Sequence, residues 1–217
     1  MLIKKLKLKN FRQYIGEQEI EFSTDREKNV TVLIGVNTSG KTTLVRAFEW
    51  ILYNTNEFDD KNLLNKNIAE NMQIGETQAV EGTLVIEHEN SSGETMTYEI
   101  TRKQIYTCTG STVRASVSEA KISYVQPDGQ TKTPLETDFY NNIERILPRK
   151  LASYFFFGGE RVGSISNKDD IESSVKGLMG LDVLSNAMSH LRTVINKLKK
   201  NMDFSGDQKA QDAQNKL

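Results

Sequence analysis

The strongest structural signal in this sequence lies in Val30-Thr31-Val32-Leu33-Ile34-Gly35-Val36-Asn37-Thr38-Ser39-Gly40-Lys41-Thr42. Its first five residues form a continuous apolar run of the kind found in a strand whose two faces are both covered. The next eight residues match the pattern G-x-x-x-x-G-K-S/T without interruption. The stretch therefore predicts a buried strand that runs straight into a glycine-rich loop.

The residues after this loop have the period of a helix. Their apolar members recur along one helical face: Leu44, Ala47, Phe48 and Ile51, with Trp50 and Leu52 beside it. Strand, loop and helix then stand in the order that phosphate binding requires, because the loop N–H groups and the helix N-terminus both face the anion. Lys41 is placed to reach the β and γ phosphates, and Thr42 to offer its hydroxyl to Mg²⁺.

This arrangement predicts a nucleotide-binding site. Its candidate residues are Gly35, Asn37, Thr38, Ser39, Gly40, Lys41, Thr42 and Thr43. A GTPase would also carry N-K-x-D after a later buried strand, with D-x-x-G ahead of it. Residues 167–170 have the letters of the first motif, but they follow a stretch rich in serine and glycine, and the D-x-x-G at 203–206 comes after them. We interpret both as chance matches.

A small-molecule kinase is harder to exclude from the glycine-rich loop alone. The two strands expected ahead of the loop strand nevertheless differ from the alternating βα start of such kinases. That difference favours another class of nucleotide-binding protein.

The composition fits a folded protein without a disulfide framework. The chain has 217 residues and is 37% hydrophobic, enough for one generous domain with a sizeable core. Its formal net charge is −1, so any nucleic acid would be met by a local basic patch. Cys108 is the sole cysteine, which excludes an internal disulfide. No apolar run approaches the roughly 20 residues of a membrane span, and the opening lacks the apolar core of a signal peptide, so we expect a cytoplasmic protein.

The segment ahead of the loop predicts a β-hairpin. Leu6 and Leu8, and later Ile20 and Phe22, alternate with charged residues, as in half-buried antiparallel strands. Arg12 lies in the connection between these strands. If the hairpin packs beside the loop strand, this guanidinium could make a bidentate contact to a triphosphate. The alternative is an arginine that caps a surface turn.

The chain after the first helix predicts an antiparallel meander and then a short helix. A polar loop with one short helix covers about residues 54–79, and strand-like runs separated by turn signals cover about 80–125. A helical period over 136–147 ends at Pro148. Residues 151–161 combine an aromatic run with a glycine pair, which predicts a buried strand that ends either in a simple turn or in a switch loop near the phosphates.

Single cations and a histidine in the meander each have two interpretations. Arg102, Lys103 and Arg114 could contact nucleic acid, but isolated cations on a strand face are usually only solvated. His88 is interpreted as a partly exposed strand residue rather than a metal ligand, because no second ligand lies near it in sequence.

Blocks spread over about residues 1–200 together resemble a known family. They are L-K-N-F-R-Q-Y at 8–14, the loop at 35–43, F-F-F-G-G-E-R-V at 155–162 and G-L-M-G-L-D-V-L at 177–184. They look like the N-terminal half of an SMC-type ABC ATPase head, and most specifically like the DndD family, the SMC-like ATPases of bacterial DNA phosphorothioation systems. The resemblance implies an α/β P-loop NTPase fold of ABC/SMC-head type, with an antiparallel β subdomain and the start of a coiled coil.

The resemblance also implies a division of the chain. Residues 1–182 would be the N-terminal lobe of the head, and residues 183–217 the root of a coiled-coil helix and a polar tail. Within the lobe, the P-loop would span 35–42, the β-meander about 80–125, and a Q-loop-like region 154–161.

The Q-loop position of this sequence is unusual. It holds Gly158, which offers no side chain to Mg²⁺ or to the attacking water. Either hydrolysis is then slow, or Glu160 is the carboxylate that acts with Lys41.

The resemblance implies ATP and Mg²⁺ as ligands and further parts of the ATPase as partners. The sequence has neither an apolar run that ends in Asp-Glu nor an L-S-G-G-like signature, so we expect a C-terminal lobe to supply both. Hydrolysis is expected only with that lobe and a dimer partner, a second copy of the head. Other proteins of a DNA-modification complex, and DNA itself, are the remaining expected partners.

The function implied by the resemblance is the gating of DNA transactions by ATP-dependent head dimerisation. One alternative is an SMC-like ATPase of DNA repair or of another anti-phage system. A second alternative is a nucleotide-dependent scaffold of a DNA-modification complex that does not hydrolyse ATP.

Overall fold

The computed structural model describes residues 1–25, 27–36, 39–89, 93–126, 129–156 and 181–201. The chain divides into two compact units, Met1–Gly163 and Ser164–Leu217. The first unit contains a β-sheet and the helix that follows the glycine-rich loop. The second contains, among its described residues, one long helix.

The chain opens with the predicted β-hairpin. Strand β1 (Leu2–Phe11) pairs antiparallel with β2 (Tyr14–Glu21). The connection consists of residues 12–13 alone and is shorter than the sequence suggests. Leu6 and Leu8 are 1% and 3% exposed, so the predicted alternation does place one face of the hairpin in the core.

The predicted meander extends this hairpin into one antiparallel sheet. Strand β3 (Thr77–Glu89) pairs with β1 on one side and with β4 (Thr95–Cys108) on the other. Strand β4 also pairs with β5 (Val113–Ala115) and β6 (Glu119–Val125), and β6 pairs with β7 (Thr131–Lys132). The strand order is β2-β1-β3-β4-β6-β7, with β5 beside β4. The meander predicted from the turn signals is therefore confirmed.

Two helices of the first unit, α1 and α3, lie where the apolar periods predict them. The four described there are α1 (Lys41–Tyr53), α2 (Lys66–Asn71), α3 (Phe139–Ile146) and α4 (Ala152–Phe155). Short 3-10 turns at Glu136–Asp138 and Arg149–Leu151 precede α3 and α4. The predicted end of the third helix at Pro148 is confirmed, since α3 stops before it.

Helix α1 packs directly onto β3 because residue 82 has no side chain. A Cβ atom on Gly82 would lie 2.7 Å from Ile51 Cδ1 and 3.1 Å from Trp50 Cζ3. Ile51 and Trp50 are 0% and 1% exposed, and the Trp50 ring lies 5.3 Å from that of Phe11 on β1. This close approach fixes the distance between the helix and the sheet.

The run ahead of the glycine-rich loop is not the buried strand that the sequence predicts. Residues 30–34 form no strand, and Val32 and Ile34 are 72% and 95% exposed. A strand needs a neighbour to satisfy its backbone groups, and both edges of β1 are taken by β2 and β3. No described strand pairs with residues 30–34. The prediction of a buried strand there is wrong for the described part of the chain.

The aromatic run after Pro148 also differs from its prediction. Instead of a strand, the described residues 151–156 form the end of a 3-10 turn and helix α4, and the N–H of Phe156 donates to the carbonyl of Ala152. Without a strand neighbour, the backbone groups are satisfied locally. Phe156 still enters the core, where its ring stacks on Phe48 at 5.3 Å.

The second unit contains helix α5 (Leu181–Asn201). Its apolar side chains with known exposure are largely open to solvent: Met188, Leu191, Val194, Ile195 and Leu198. Their spacing gives an apolar face that is typical of a helix with a packing partner. No described helix is long and apolar enough to cross a membrane.

Candidate nucleotide-binding site

The glycine-rich loop turns into α1 through a left-handed residue. Gly40 caps the helix with φ 105°, a conformation that side chains rarely adopt. Lys41 is the first residue of α1, and its ammonium group donates to the carbonyls of Gly35 and Val36 at 2.5 and 2.7 Å. The cation therefore lies inside the curve of the loop, where a phosphate ligand would be bound.

The side chains of the first helical turn divide between solvent and core. Lys41 and Thr42 are exposed, as a role in holding phosphate and Mg²⁺ requires. Thr43 is only 8% exposed, so its side chain belongs to the core and its backbone N–H is the group left for a ligand. The N–H of Ser39 donates to the carbonyl of Val36 at 3.2 Å. Asn37 and Thr38 lie outside the described residues.

The tip of the hairpin packs against this loop. The hydroxyl of Tyr14 donates to the carbonyl oxygen of Gly40 at 3.1 Å. A Cβ atom on Gly40 would lie 2.6 Å from the Tyr14 hydroxyl oxygen and 2.8 Å from Gln13 Nε2. Burial raises the pKa of Tyr14 further above neutral pH, so the hydroxyl is protonated and can donate. Sequence reasoning missed this contact, although both residues lie in blocks that it singled out.

Arg12 is directed to the loop after α1. Its Nη1 atom donates to the carbonyls of Asn62 and Asp60 at 2.6 and 3.2 Å and lies 3.4 Å from the Asp60 carboxylate. The guanidinium also lies over the Phe58 ring, 4.7 Å from its centroid. Its side chain is 24% exposed and its φ is 53°. The structure thus places Arg12 beside Gln13 at the hairpin tip, held by the loop at 58–62.

Arg102 is buried, contrary to both interpretations of it as a surface cation. It is 1% exposed and its Nε donates to the carbonyl of Ile51 at 3.0 Å. Its Nη1 donates to Ser118 Oγ at 3.1 Å, and Ser118 in turn donates to Asn54, the residue that caps α1. Burial lowers the pKa of Arg102. The guanidinium thus lies at the C-terminal end of α1, the helix whose N-terminus forms the site. The helix dipole makes this end favourable for positive charge.

The lysines near the N-terminus do not form a free basic stripe. Lys5 pairs with Glu19 at 2.6 Å, and Lys9 pairs with Glu17 at 2.9 Å, across the outer face of the hairpin. The hydrogen bonds from these lysines lower the pKa of both glutamates. Because the charges pair within the sheet, this face presents no field of one sign to a nucleic acid.

His88 is half-buried on β3, as the sequence predicts. Its Nδ1 atom is buried without a hydrogen-bond partner, and burial lowers its pKa. No group of three His, Cys, Asp or Glu side chains among the described residues could hold a metal ion.

Part of the predicted site lies outside the described residues. This concerns Gly158 and Glu160 of the Q-loop-like region and residues 177–180 of the last sequence block.

Comparison with known proteins assigns the family. The profile of the AAA domain family AAA_23 matches residues 5–217. The chain belongs to this AAA domain family. Together with the antiparallel sheet and the helix after the P-loop, this membership confirms the predicted fold class, an α/β P-loop NTPase of the ABC/SMC-head type.

Two solved structures are similar to this AAA domain protein at low identity. One, described as structural biochemistry of ATP-driven dimerization and DNA stimulated activation of SMC ATPases, is 15% identical, with a TM-score of 0.46, and the match covers 82% of this chain and 99% of that chain. The other is the Smc head domain with a coiled coil and joint from Pyrococcus yayanosii. It is 16% identical, with a TM-score of 0.42, over 92% of this chain and 38% of that chain. No curated protein matches the sequence.

Proposed function

We propose that this AAA domain protein is the ATP-binding, N-terminal lobe of an SMC-like ATPase head. In this proposal it serves bacterial DNA phosphorothioation, or a related DNA modification or defence system, and gates DNA transactions by ATP-dependent head dimerisation. Family membership and the P-loop geometry support ATP binding. The sequence blocks that resemble the DndD family support the assignment to phosphorothioation.

The residues of the loop fit ATP with Mg²⁺. Lys41 would exchange its carbonyl partners for the β and γ phosphates, and the exposed Thr42 hydroxyl would be the ligand for Mg²⁺. The metal supplies charge neutralisation on the phosphates. The space at Gly40 is already closed by the hairpin, so the start of α1 is held in place before any ligand binds.

The proposal that the head is split between two lobes rests on the exposed apolar segment at residues 30–36. Val30, Val32, Ile34 and Val36 are each more than 70% exposed in the segment that leads directly into the nucleotide site. An apolar patch of this kind on a folded lobe is typical of a surface that another chain segment covers. We propose that strands of the C-terminal lobe pair with residues 30–34 and thereby bring their catalytic carboxylate to the P-loop.

Dimerisation follows from the chemistry of the site. A P-loop holds and neutralises the phosphates, but the attacking water and the developing charge need further groups. In the proposed head these come from the C-terminal lobe, from Glu160, and from a second copy across the nucleotide.

Calorimetry with ATP in the presence of Mg²⁺ tests the binding site. Wild-type protein should bind ATP, Lys41→Ala should abolish the binding signal, and the exposed control Lys132→Ala should leave it unchanged. Unchanged affinity in Lys41→Ala would remove the assignment of the nucleotide site.

The rate of ATP hydrolysis tests the proposal that a second lobe completes the site. The 217-residue chain alone should hydrolyse ATP no faster than background. A turnover of about 1 s⁻¹, ordinary for a working enzyme, that depends on Lys41 and persists in a monomer would contradict the proposal. The role in DNA modification is tested by mass spectrometry of genomic DNA, where loss of the gene should change the phosphorothioate content.

A further inference from the structure

A cavity of about 590 Å³ lies at one end of the sheet, between strands β3, β4 and β6 and helix α3. Three of its lining residues carry rings: His88, Tyr98 and Tyr124. Tyr98 pairs with Tyr124 across β4 and β6, and the two ring centroids are 5.5 Å apart. The His88 ring on β3 lies 6.4 Å from that of Tyr98. Three neighbouring strands thus contribute one aromatic wall.

The aromatic wall continues the hydrophobic core. Tyr98 stands two residues before Ile100 on β4, and Tyr124 stands two residues after Ile122 on β6. Residues two apart on a strand share a face. Both isoleucines are buried, whereas both tyrosines are only half-buried. The core face of the sheet therefore reaches a region that the described helices cover incompletely.

Helix α3 borders the aromatic wall and holds a cation beside it. Ile143 and Ile146 are 1% and 6% exposed, so one side of the helix is anchored in the core. Arg145 lines the cavity from the exposed side of the helix. Burial raises the pKa of Tyr98, and the nearby charge of Arg145 opposes that shift. Within the described residues, the Arg145 guanidinium has no hydrogen bond or ion pair.

The charges around the cavity favour an anion. Its described lining contains one carboxylate, that of Glu89. Glu89 follows His88 on β3, so its side chain leaves the strand on the face opposite to the rings. Burial lowers the pKa of His88, so the imidazole carries no charge at neutral pH. Arg145 is therefore the charged side chain on the ring side of the cavity.

The cavity lies far from the nucleotide site. Its strand residues are next to the start of β1, because Leu2 pairs with Glu87. The hairpin tip that contacts Gly40 follows Phe11, at the other end of the same strand. A strand of this length spans about 30 Å. A ligand in the cavity would therefore not contact the P-loop.

We propose that this cavity, the Tyr98–Arg145 pocket, binds a small aromatic carboxylate. Small-molecule sites of roughly 300–1,000 Å³ combine apolar walls with a few polar groups, as this cavity does. A planar ring would pack on Tyr98 and Tyr124 in the offset or edge-to-face geometry that aromatic groups prefer. The planar fork of the guanidinium would make two parallel hydrogen bonds to the carboxylate. This site does not depend on nucleotide binding.

Naphthoate is the probe, and two analogues separate its ring from its charge. Naphthamide keeps the ring without the charge, and cyclohexanecarboxylate keeps the charge without an aromatic ring. Each compound is titrated into the 217-residue protein, and the amide NMR signals report both affinity and location. Naphthoate should bind with a Kd of about 1 mM or tighter, as expected for a ligand of its size. It should shift the signals around the cavity, and both analogues should bind more weakly.

Substitutions of the lining residues test the two halves of the probe. Arg145→Gln should weaken naphthoate by about threefold to fivefold, the range of one exposed charge contact, and leave naphthamide unchanged. Tyr124→Leu should weaken both compounds, because they share the ring. Arg114→Gln, an exposed arginine in β5 outside the cavity, should change neither affinity. Thermal unfolding checks that each variant is folded.

The proposal is overturned if naphthoate causes no saturable shifts around the cavity, or if either analogue binds as tightly as naphthoate. Equal naphthoate affinity in the folded Arg145→Gln and Arg114→Gln variants would also overturn it. Glu89→Gln tests the sign of the ligand charge: unchanged or tighter naphthoate binding supports an anion, and weaker binding contradicts it. Lys41→Ala should bind naphthoate as the wild type does, so a failure of the nucleotide assignment would leave this result intact.

Discussion

The hydroxyl of Tyr14 donates a hydrogen bond to the carbonyl oxygen of Gly40. This bond joins the tip of the N-terminal hairpin to the residue that caps the P-loop helix. The same carbonyl accepts the N–H of Leu44 at 3.0 Å, so the hairpin is bonded to the first turn of α1 itself. The position of the helix N-terminus, and with it the N–H groups that would face phosphate, depends on a strand pair far from it in sequence.

Removal of the Tyr14 hydroxyl should weaken nucleotide binding without unfolding the lobe. Loss of one hydrogen bond costs about 1 kcal/mol, and because this bond already exists without nucleotide, Tyr14→Phe should lower ATP affinity by at most about fivefold. The matched control is Tyr124→Phe, because the Tyr124 ring packs on Tyr98 in the β4–β6 part of the sheet. Calorimetry on both variants checks this, and equal affinities for the two would show that the hairpin does not position the loop.

Gly40→Ala should damage the site more than the same change at another left-handed glycine. Gly110 has φ 117° but nothing within 4 Å of its Cβ position, whereas a Cβ on Gly40 would meet Tyr14 and Gln13. Gly110→Ala therefore reports the backbone strain alone, of about 1–2 kcal/mol. Urea unfolding should show a larger loss of stability for Gly40→Ala, together with loss of ATP binding. A loss no greater than that of Gly110→Ala would place the cost in the backbone and not in the hairpin contact.

Arg12→Ala should weaken ATP more than ADP. The reason is the charge of the additional phosphate, which the guanidinium would meet at the hairpin tip. Arg12→Lys should recover part of the loss, because an ammonium keeps the charge but not the planar fork. Arg114→Ala, an exposed arginine in β5, serves as the control. Equal weakening of ATP and ADP, or none, would assign Arg12 only to its contacts with Asp60 and Asn62.

Arg102→Met should destabilise the lobe strongly. The change removes the donor to the Ile51 carbonyl and leaves Ser118 without its guanidinium partner at the end of α1. Breaking such a buried, charge-assisted network costs about 2–4 kcal/mol. Lys103→Met, next in sequence but exposed, should cost less than about 0.5 kcal/mol. Urea unfolding of the two variants decides the point, and a similar stability for both would show that Arg102 does not support the helix.

The local patterns of the chain were sufficient to predict most elements. The hairpin, α1 and the β3–β4–β6 meander follow from spacings of a few residues, since alternation and the helical period are properties of neighbouring side chains. The P-loop motif likewise predicts a nucleotide site, because the chemistry of such a site depends on consecutive backbone N–H groups and one lysine. These features needed no knowledge of distant contacts.

Other features depended on which distant segments meet. Residues 30–34 read as a buried strand, yet a strand exists only where a neighbour accepts its hydrogen bonds, and the described sheet has none there. The sequence predicts that Arg102 is a surface cation, but its position on β4 faces the end of α1. There the hydrogen bonds to a carbonyl and a hydroxyl offset the free-energy cost of burying the charge. The contact between Tyr14 and Gly40 joins two motifs that are 26 residues apart. Local spacing predicts the hairpin, α1 and the meander, whereas the fate of residues 30–34, the burial of side chains and the hydrogen-bond partners depend on which distant segments pack together.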